Sequence, residues 1–307
     1  MSPSAHHSVH HSVHHSVLYS VLYSAHQSAH QSAKGHADGL AFFLAAAIAT
    51  ISSFFSLASI SAEPAKPLEV LYITGGCCHD YEAQKGIITK GLASRALINT
   101  TVIHEGGESL DHRVSIYSKP NWSKGYDVVF HNECFAKVND PEFLKLIISE
   151  HEQGTPAVLM HCAMHCYRTG TDDWFRFCGV TSPGHGAHYP YTATSIAEHP
   201  VLKGLPKEWE LPQEELYFID KIWPDATPLV EAMSREKKAP QAVVWTNQYG
   251  KARVFGTTIG HYPQTVSLPA FLDLMTRGTL WAAGKLQDDG QPVPELQLAA
   301  GETTSPK

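Results

Sequence analysis

Short runs of apolar and β-branched residues alternate with longer amphipathic stretches from Leu68 onward. The short runs predict strands and the amphipathic stretches predict helices. We expect strands over 69–74, 100–104, 126–131, 156–162, 191–197, 228–232, 242–246 and 253–258, and helices over 82–93, 143–153 and 268–283. Apolar strands separated by helices are typical of a parallel sheet that is covered on both faces. The predicted fold class is therefore α/β, with a mostly parallel sheet.

Four of the apolar runs lead into a histidine, and these histidines are His79, His131, His161 and His261. The carboxyl ends of parallel strands share one edge of the sheet, where such sheets bind ligands. We therefore expect the four imidazoles to share one crevice. Imidazole transfers protons near neutral pH and also ligates metals, so the set suggests acid–base or metal chemistry. Each histidine taken alone is equally well interpreted as the cap of a strand.

The first 62 residues do not have a globular pattern. Serine recurs at every fourth position from Ser4 to Ser32, which is typical of a low-complexity, disordered repeat over 1–34. The uncharged apolar stretch over 40–60 indicates that residues 35–62 are a signal peptide or an amino-terminal membrane anchor. Either interpretation predicts that the folded part, residues 63–286, is periplasmic or extracellular. The composition of residues 287–307, rich in Asp, Gly, Pro, Gln and Thr, predicts a disordered tail.

Charge and cysteine content narrow the function classes. The net charge of −7 and the lack of a basic cluster argue against nucleic acid as a partner. The six cysteines would be able to pair in an oxidising compartment, but their spacing does not specify the partners. Free buried thiols are the alternative.

Polar motifs follow several of the predicted strands. The turn over 75–80 begins with two glycines, which let backbone N–H groups approach a ligand, but it lacks the third glycine of a dinucleotide fingerprint. Residues 131–133 offer an imidazole, an amide and a carboxylate, which suit acid–base work or a divalent ion. The pair Glu214 and Glu215, followed by Tyr217, would orient sugar hydroxyls or hold a proton, although a solvated acidic turn is favoured by residue type. His188 lies in the irregular segment 181–188, and long irregular loops are often functional.

The segment 161–166 contains two histidines and two cysteines at a spacing that would suit zinc, but no second ligand pair with matching spacing is visible. Cys162 stands where a strand meets a helix, as the nucleophile does in a nucleophile elbow. Met160 and Met164 occupy the positions where glycines normally relieve that turn. This departure disfavours a cysteine hydrolase.

The joint order of the motifs resembles the ThuA-like, or trehalose utilisation, family. The resemblance spans roughly residues 68–284 and is carried by 75–79, the strand ends at His131 and His161, 199–200, 214–217, 240–245, 250–255 and 260–261. It implies a three-layer, flavodoxin-like fold related to class I glutamine amidotransferases, without the amidotransferase triad. The chain departs from the family pattern at Glu214, where Asp is more frequent, and at Ala252, where glycine is common.

The resemblance implies a role with trehalose, related disaccharides or 3-keto-glycosides, so the expected partner is a small carbohydrate. The leading hypothesis is acid–base or metal-assisted chemistry by a hydrolase or lyase, if the chain is an enzyme. The candidate catalytic residues are His131, His188, Glu215 and His261, and the candidate substrate-binding residues are His79, Glu133, Glu214, Tyr217 and Tyr262. The candidate ligands for a divalent metal such as zinc are His131, His161 and His261.

Two alternatives stay open at this point. One is a non-catalytic carbohydrate-binding or assembly module, in which tyrosines and a tryptophan near the loops would stack on sugars; these are Tyr189, Tyr191, Tyr217, Trp223 and Tyr262. The other is a hydrolase of amidotransferase-like fold that uses Cys162.

Overall fold

The computed structural model describes residues 65–299, and the structural statements below concern that part of the chain. The strands are β1 Leu68–Gly76, β2 Ile98–His104, β3 Val128–Cys134, β4 Ala157–Met160, β5 Val180–Thr181, β6 Gly184–Ser195, β7 Glu208–Phe218, β8 Lys221–Ile222, β9 Ala226–Met233, β10 Pro240–Tyr249 and β11 Ala252–Thr257. The α-helices are α1 Tyr81–Ala93, α2 Pro141–Gln153, α3 Asp173–Cys178, α4 Pro263–Val266 and α5 Pro269–Ala282. Short 3₁₀ helices span Ser115–Ser118, His161–His165, Pro200–Leu202 and Pro294–Leu296.

Nine strands form one sheet in the order β2-β1-β3-β4-β11-β10-β9-β6-β7. The first five strands in that order are parallel to one another, and the remaining four extend the sheet in antiparallel fashion. The carboxyl ends of β1, β3, β4 and β11 therefore lie along one edge. The predicted α/β class with a mostly parallel sheet is confirmed.

Two apolar cores lie on opposite faces of the sheet and give the fold three layers. On one face, Leu92 of α1 and Phe271 of α5 pack against strand residues such as Val70. On the other face, Ile147 of α2 and Phe177 of α3 pack against residues such as Leu71. Val70 and Leu71 are neighbours in β1, and successive strand side chains point to opposite faces. Burial of both faces explains why these strands are apolar throughout.

Side chains at the helix starts explain why α1 and α2 begin where they do. The Asp80 carboxylate accepts a hydrogen bond from the backbone N–H of Ala83 at 2.9 Å. Asp140 accepts from the backbone N–H groups of Glu142 and Phe143, and Pro141 occupies the first turn of α2. Such caps satisfy amide groups that have no partner within the helix.

Three regions differ from the sequence predictions. The segment 181–188, predicted to be an irregular loop, contains the start of β6, and Glu214–Tyr217, for which a solvated turn was favoured, lies in β7. The predicted tail is wrong for 287–299, because Leu296 is buried and its carbonyl accepts a hydrogen bond from the backbone N–H of Leu97.

None of the helices within 65–299 is long and apolar enough to cross a bilayer. The predicted repeat over 1–34 and the predicted leader or anchor over 35–62 lie outside the described residues.

Candidate functional site

Three histidines meet at the carboxyl edge of the sheet. His79 follows β1, His161 follows β4 and His261 follows β11. The His261 Nδ1 atom lies 3.1 Å from Nε2 of His79 and 3.3 Å from Nε2 of His161. Residues 182 positions apart are thus in contact through their ring nitrogens. Parallel strand order brings these side chains together, as expected for strand ends on one edge.

Tight turns hold His79 and His161 at the ends of their strands. Gly75 and Gly76 both have positive φ angles, and a Cβ atom at Gly75 would collide with the carbonyl oxygen of Glu105. His161 itself has a φ of +51°, which is uncommon for a residue with a side chain. The unusual backbone after β4 therefore lies at His161 and not at Cys162. Strain of this kind persists where the surrounding structure fixes it, and it is frequent at functional sites.

Glu215 of β7 joins two groups of histidines with its two carboxylate oxygens. Its Oε2 atom lies 3.3 Å from Nε2 of His161 and 3.2 Å from Nδ1 of His261. Its Oε1 atom lies 2.7 Å from Nε2 of His188 and 3.4 Å from Nε2 of His185. The carboxylate is almost fully buried, so these histidines replace water as its polar neighbours.

One hydrogen bond determines which ring nitrogen of His161 carries the proton and which has a free lone pair toward the cluster. Its Nδ1 lies 2.6 Å from the carbonyl oxygen of Thr258, and only a protonated Nδ1 can donate to that acceptor. The neutral ring therefore presents an unprotonated Nε2. Ligating histidines in metal sites are oriented by this type of bond from the other ring nitrogen.

The donor set fits a divalent cation. The ligand atoms of His79, His161, His261 and Glu215 all lie within 4.8 Å of one another. Three imidazoles and one carboxylate are ligands that zinc accepts in tetrahedral sites. Ring nitrogens that approach to 3.1 and 3.3 Å need a proton or a cation between them, because two lone pairs repel each other. The same atoms can therefore hold a metal ion in place of a shared proton.

Burial and charge shift the pKa values of two members of this group. Burial, together with the neighbouring His161 and His261, lowers the pKa of His79 to about 2. Burial alone would raise the pKa of Glu215, but the neighbouring His161 and His261 rings, which donate hydrogen bonds to the carboxylate when they are protonated, outweigh that effect and hold the pKa well below its usual range. A neutral imidazole and an ionised carboxylate are the forms that bind metal.

A second set of polar groups lies at the exposed side of Glu215. The hydroxyl of Tyr262 lies 2.5 Å from Nδ1 of His188, whose Nε2 faces Glu215. Gln213 donates from Nε2 to the same hydroxyl at 3.2 Å. The chain of contacts from Tyr262 through His188 to Glu215 is suited to proton transfer. His188 and Tyr262 are both partly accessible, so a ligand can reach them.

Glu214, a predicted substrate-binding residue, instead holds the loop that carries His261. Its carboxylate accepts hydrogen bonds from the backbone N–H of His261 at 3.0 and 3.1 Å. Gln84 of α1 secures the same loop, because its Nε2 donates to the carbonyl oxygens of Gly260 and His261. No pattern in the sequence pointed to Gln84, since its role depends on how α1 packs against a loop more than 170 residues away.

His131 and Glu133 do not join the cluster, so the expectation of one crevice for four imidazoles is wrong for His131. Its ring is fully buried on the α2 face, where Nε2 contacts His151 at 3.1 Å and Nδ1 contacts Glu133 at 3.0 Å. The predicted strand ended at His131, but β3 continues to Cys134. Strand alternation therefore turns His131 and Glu133 toward α2, while Asn132 faces Gln84 of α1.

Tyr217 is also inaccessible. Its ring stacks on His165 and lies near His161, and only 1% of its surface is exposed. The Tyr217 ring therefore packs against His161 inside the protein and cannot stack on a ligand.

The cysteines near the site are paired. Cys77 bonds to Cys78, and Cys134 bonds to Cys162, while Cys166 and Cys178 are free and buried. The 161–166 segment thus does not act as a four-residue zinc motif, because Cys162 is in a disulfide and His165 contacts Ser182 at 2.9 Å. Cys162 is likewise not a free nucleophile in this structure.

The family model for ThuA, described as trehalose utilisation, matches residues 70–282, which is more than half of the chain. The chain belongs to the ThuA family. Among solved structures, a ThuA-like protein of Parabacteroides merdae is similar with a TM-score of 0.58 at 20% identity, covering 76% of this chain and 98% of that one. A ThuA-like protein of Bacteroides uniformis is similar with a TM-score of 0.55 at 17% identity over the same shares. A search of the curated proteins finds no match.

Membership of the ThuA family confirms the flavodoxin-like fold and supports a role related to carbohydrate utilisation. At 17–20% identity, the two solved relatives establish the fold alone. The chemistry has to be argued from the residues of this chain.

Proposed function

We propose that this chain is an exported enzyme of carbohydrate catabolism that acts on a glycoside or its keto derivative with a divalent cation such as zinc. The observation that carries the proposal is the approach of three imidazole nitrogens and one carboxylate oxygen to within 4.8 Å of one another. Sequence-distant donors of this kind, oriented by bonds such as His161 to Thr258, are typical of metal sites. His79, His161, His261 and Glu215 would hold the cation.

A ketone on a sugar ring makes the neighbouring C–H acidic, so a base can remove that proton while the bond to the leaving oxygen breaks and an acid protonates it. When bound, the cation would polarise the ketone oxygen as a Lewis acid. We assign the proton transfer to Tyr262 and His188, because Tyr262 is partly accessible and its hydroxyl lies 2.5 Å from Nδ1 of His188. The carboxylate of Glu215 lies 2.7 Å from the other nitrogen of the His188 ring and would stabilise the ring when it holds a proton.

Export is part of the proposal. The uncharged stretch over 40–60 motivates it, and the two disulfides support it, because disulfides persist in oxidising compartments.

The two alternatives have less support. A sugar-stacking module would need several accessible aromatic rings, but Tyr189, Tyr191 and Tyr217 are buried, and only Trp223 and Tyr262 of the five are partly accessible. A cysteine hydrolase would need a free thiolate, but the sulfur of Cys162 is bonded to Cys134.

Metal content is the first test. Purified full-length wild type, His261→Ala and His104→Ala would be loaded with zinc, dialysed and measured by elemental analysis. The histidine-rich repeat over 1–34 is the same in all three proteins, so only the difference in zinc between them is informative. His104 lies on β2, away from the cluster, and serves as the matched control. We expect His261→Ala to hold about one equivalent less than the other two proteins, as one ion occupies a four-ligand site. Equal zinc in all three would contradict the metal site.

Turnover is the second test. Wild-type protein with added zinc would be incubated with 3-keto-trehalose, and the products would be followed by chromatography. Cleavage that chelation abolishes would support the proposal. Binding of the sugar in calorimetry without turnover would favour the non-catalytic module instead.

A further inference from the structure

Four cysteines gather beside the histidine site, at the carboxyl ends of β1, β3 and β4. The Cys77–Cys78 disulfide follows β1, and the Cys134–Cys162 disulfide links the ends of the neighbouring strands β3 and β4. The two disulfides are in contact, because Sγ of Cys77 lies 4.0 Å from Sγ of Cys134. Strand pairing sets this contact, since Gly76 pairs with Cys134.

The two disulfides differ in their access to solvent. Cys78 is exposed and Cys77 is half-buried, whereas Cys134 and Cys162 are only 3% and 6% exposed. A reductant in solution can therefore reach the first pair but not the second. Thiol–disulfide exchange requires such access to the sulfur that is attacked.

We propose that these four cysteines form a second reactive site, a thiol–disulfide exchange site that takes a dithiol as its substrate. The dithiol gives two electrons and two protons to Cys77–Cys78 and becomes a disulfide, which leaves two thiols. The Cys77 sulfur then loses its proton and attacks Sγ of Cys134. The Cys77–Cys134 bond forms, the Cys134–Cys162 bond breaks, and the Cys162 sulfur leaves with the electron pair and takes up a proton. This second step is redox-neutral.

The exchange releases a thiol at the edge of the candidate metal site. The ligand atoms of His79, Cys134 and Cys162 lie within 4.8 Å of one another. A free Cys162 would thus add a sulfur donor next to His79. The exchange itself requires neither a cation nor a sugar, so it stands or falls independently of the proposed function.

The test uses full-length Cys78→Ser, in which Cys77 has lost its partner. The protein is quenched in acid, alkylated with N-ethylmaleimide under denaturing conditions, digested without reduction and mapped by mass spectrometry. We expect a Cys77–Cys134 link with an alkylated Cys162. Cys178→Ser, which removes a buried free thiol, is the matched control and should keep both original pairs. An intact Cys134–Cys162 pair with an alkylated Cys77 in Cys78→Ser would overturn the proposal.

A second measurement does not depend on the folding of that variant. Wild type and the double variant Cys77→Ser/Cys78→Ser are treated with dithiothreitol, and alkylation of Cys162 is followed in time. Because attack from a neighbouring residue acts at a high effective concentration, Cys162 should be released at least about tenfold faster in wild type. Equal rates, or four free thiols in wild type purified in air, would also overturn it.

Discussion

The carboxylate of Glu215 faces the imidazole of His188, with 2.7 Å between Oε1 and Nε2. The other oxygen of the same carboxylate faces His161 and His261. One buried side chain therefore belongs to both the candidate metal site and the proton-transfer chain. Substitutions on the two sides of Glu215 should have separable effects.

Tyr262→Phe removes the hydroxyl that contacts His188 and leaves the four candidate metal ligands in place. Turnover of 3-keto-trehalose should fall by about 10²–10⁴-fold, the usual contribution of a general acid or base. Zinc content should be unchanged. A Tyr262→Phe protein with wild-type turnover would show that this hydroxyl does not carry the proton.

Glu215→Gln should weaken metal binding and abolish turnover, because it removes the negative charge that balances a divalent cation. Loss of even an outer-shell partner costs about 10–100-fold in metal affinity, so we expect a loss of at least about tenfold. Isothermal titration with zinc measures the affinity, and the same protein should show no turnover. Unaltered zinc affinity would remove Glu215 from the ligand set.

Glu214→Gln tests the support of the His261 loop. The amide of glutamine would place a donor against the backbone N–H groups that Glu214 now accepts from. A buried group left unsatisfied costs about 1–3 kcal/mol, so the free energy of unfolding should fall by that amount in urea titrations. Glu210→Gln, on an exposed position of the same strand, is the control and should unfold like wild type.

Gly75→Ala and Gly86→Ala should change stability in opposite directions. Gly75 has a φ of +130° and no room for a Cβ atom, so the alanine should destabilise the fold by at least about 1 kcal/mol. Gly86 lies within α1 with open space around it, so alanine should stabilise by up to about 1 kcal/mol. Thermal unfolding measures both, and a stable Gly75→Ala protein would contradict the assigned turn.

Acid should destabilise the protein in part through His151. Burial, together with the neighbouring His131, lowers the pKa of His151 from 6.5 to about 3. Below pH 6.5 the unfolded chain binds a proton at this ring that the folded chain does not bind, so acidification favours unfolding. This one group should lower the unfolding free energy by up to about 1.4 kcal/mol per pH unit, from pH 6.5 down to about 3.

Urea titrations at pH 7, 6 and 5 should therefore show a shallower loss of stability in His151→Phe than in wild type. His104→Phe, which alters a histidine on β2 with part of its side chain exposed, is the control. Identical slopes in wild type and His151→Phe would mean that the folded and unfolded chains bind the same number of protons at residue 151.

The apolar runs were sufficient to predict the sheet and the edge at which His79, His161 and His261 meet. They could not predict the face of the sheet that His131 occupies, because that depends on where β3 ends, and β3 continues three residues beyond the predicted strand. The pattern also missed β7, since Pro212 and the polar residues that follow it interrupt the alternation of apolar and polar positions. Glu215 therefore looked like part of a solvated turn, although tertiary packing buries it.

The 182-residue separation between His79 and His261 has a consequence during synthesis of the protein. While the ribosome is still making β9 or β10, His79 and His161 already exist but have neither His261 nor the loop that carries it. A nascent or prematurely terminated chain therefore lacks a complete set of donors. Cation capture at the proposed site would be among the last events of maturation, and every truncation before residue 261 would leave that site one ligand short.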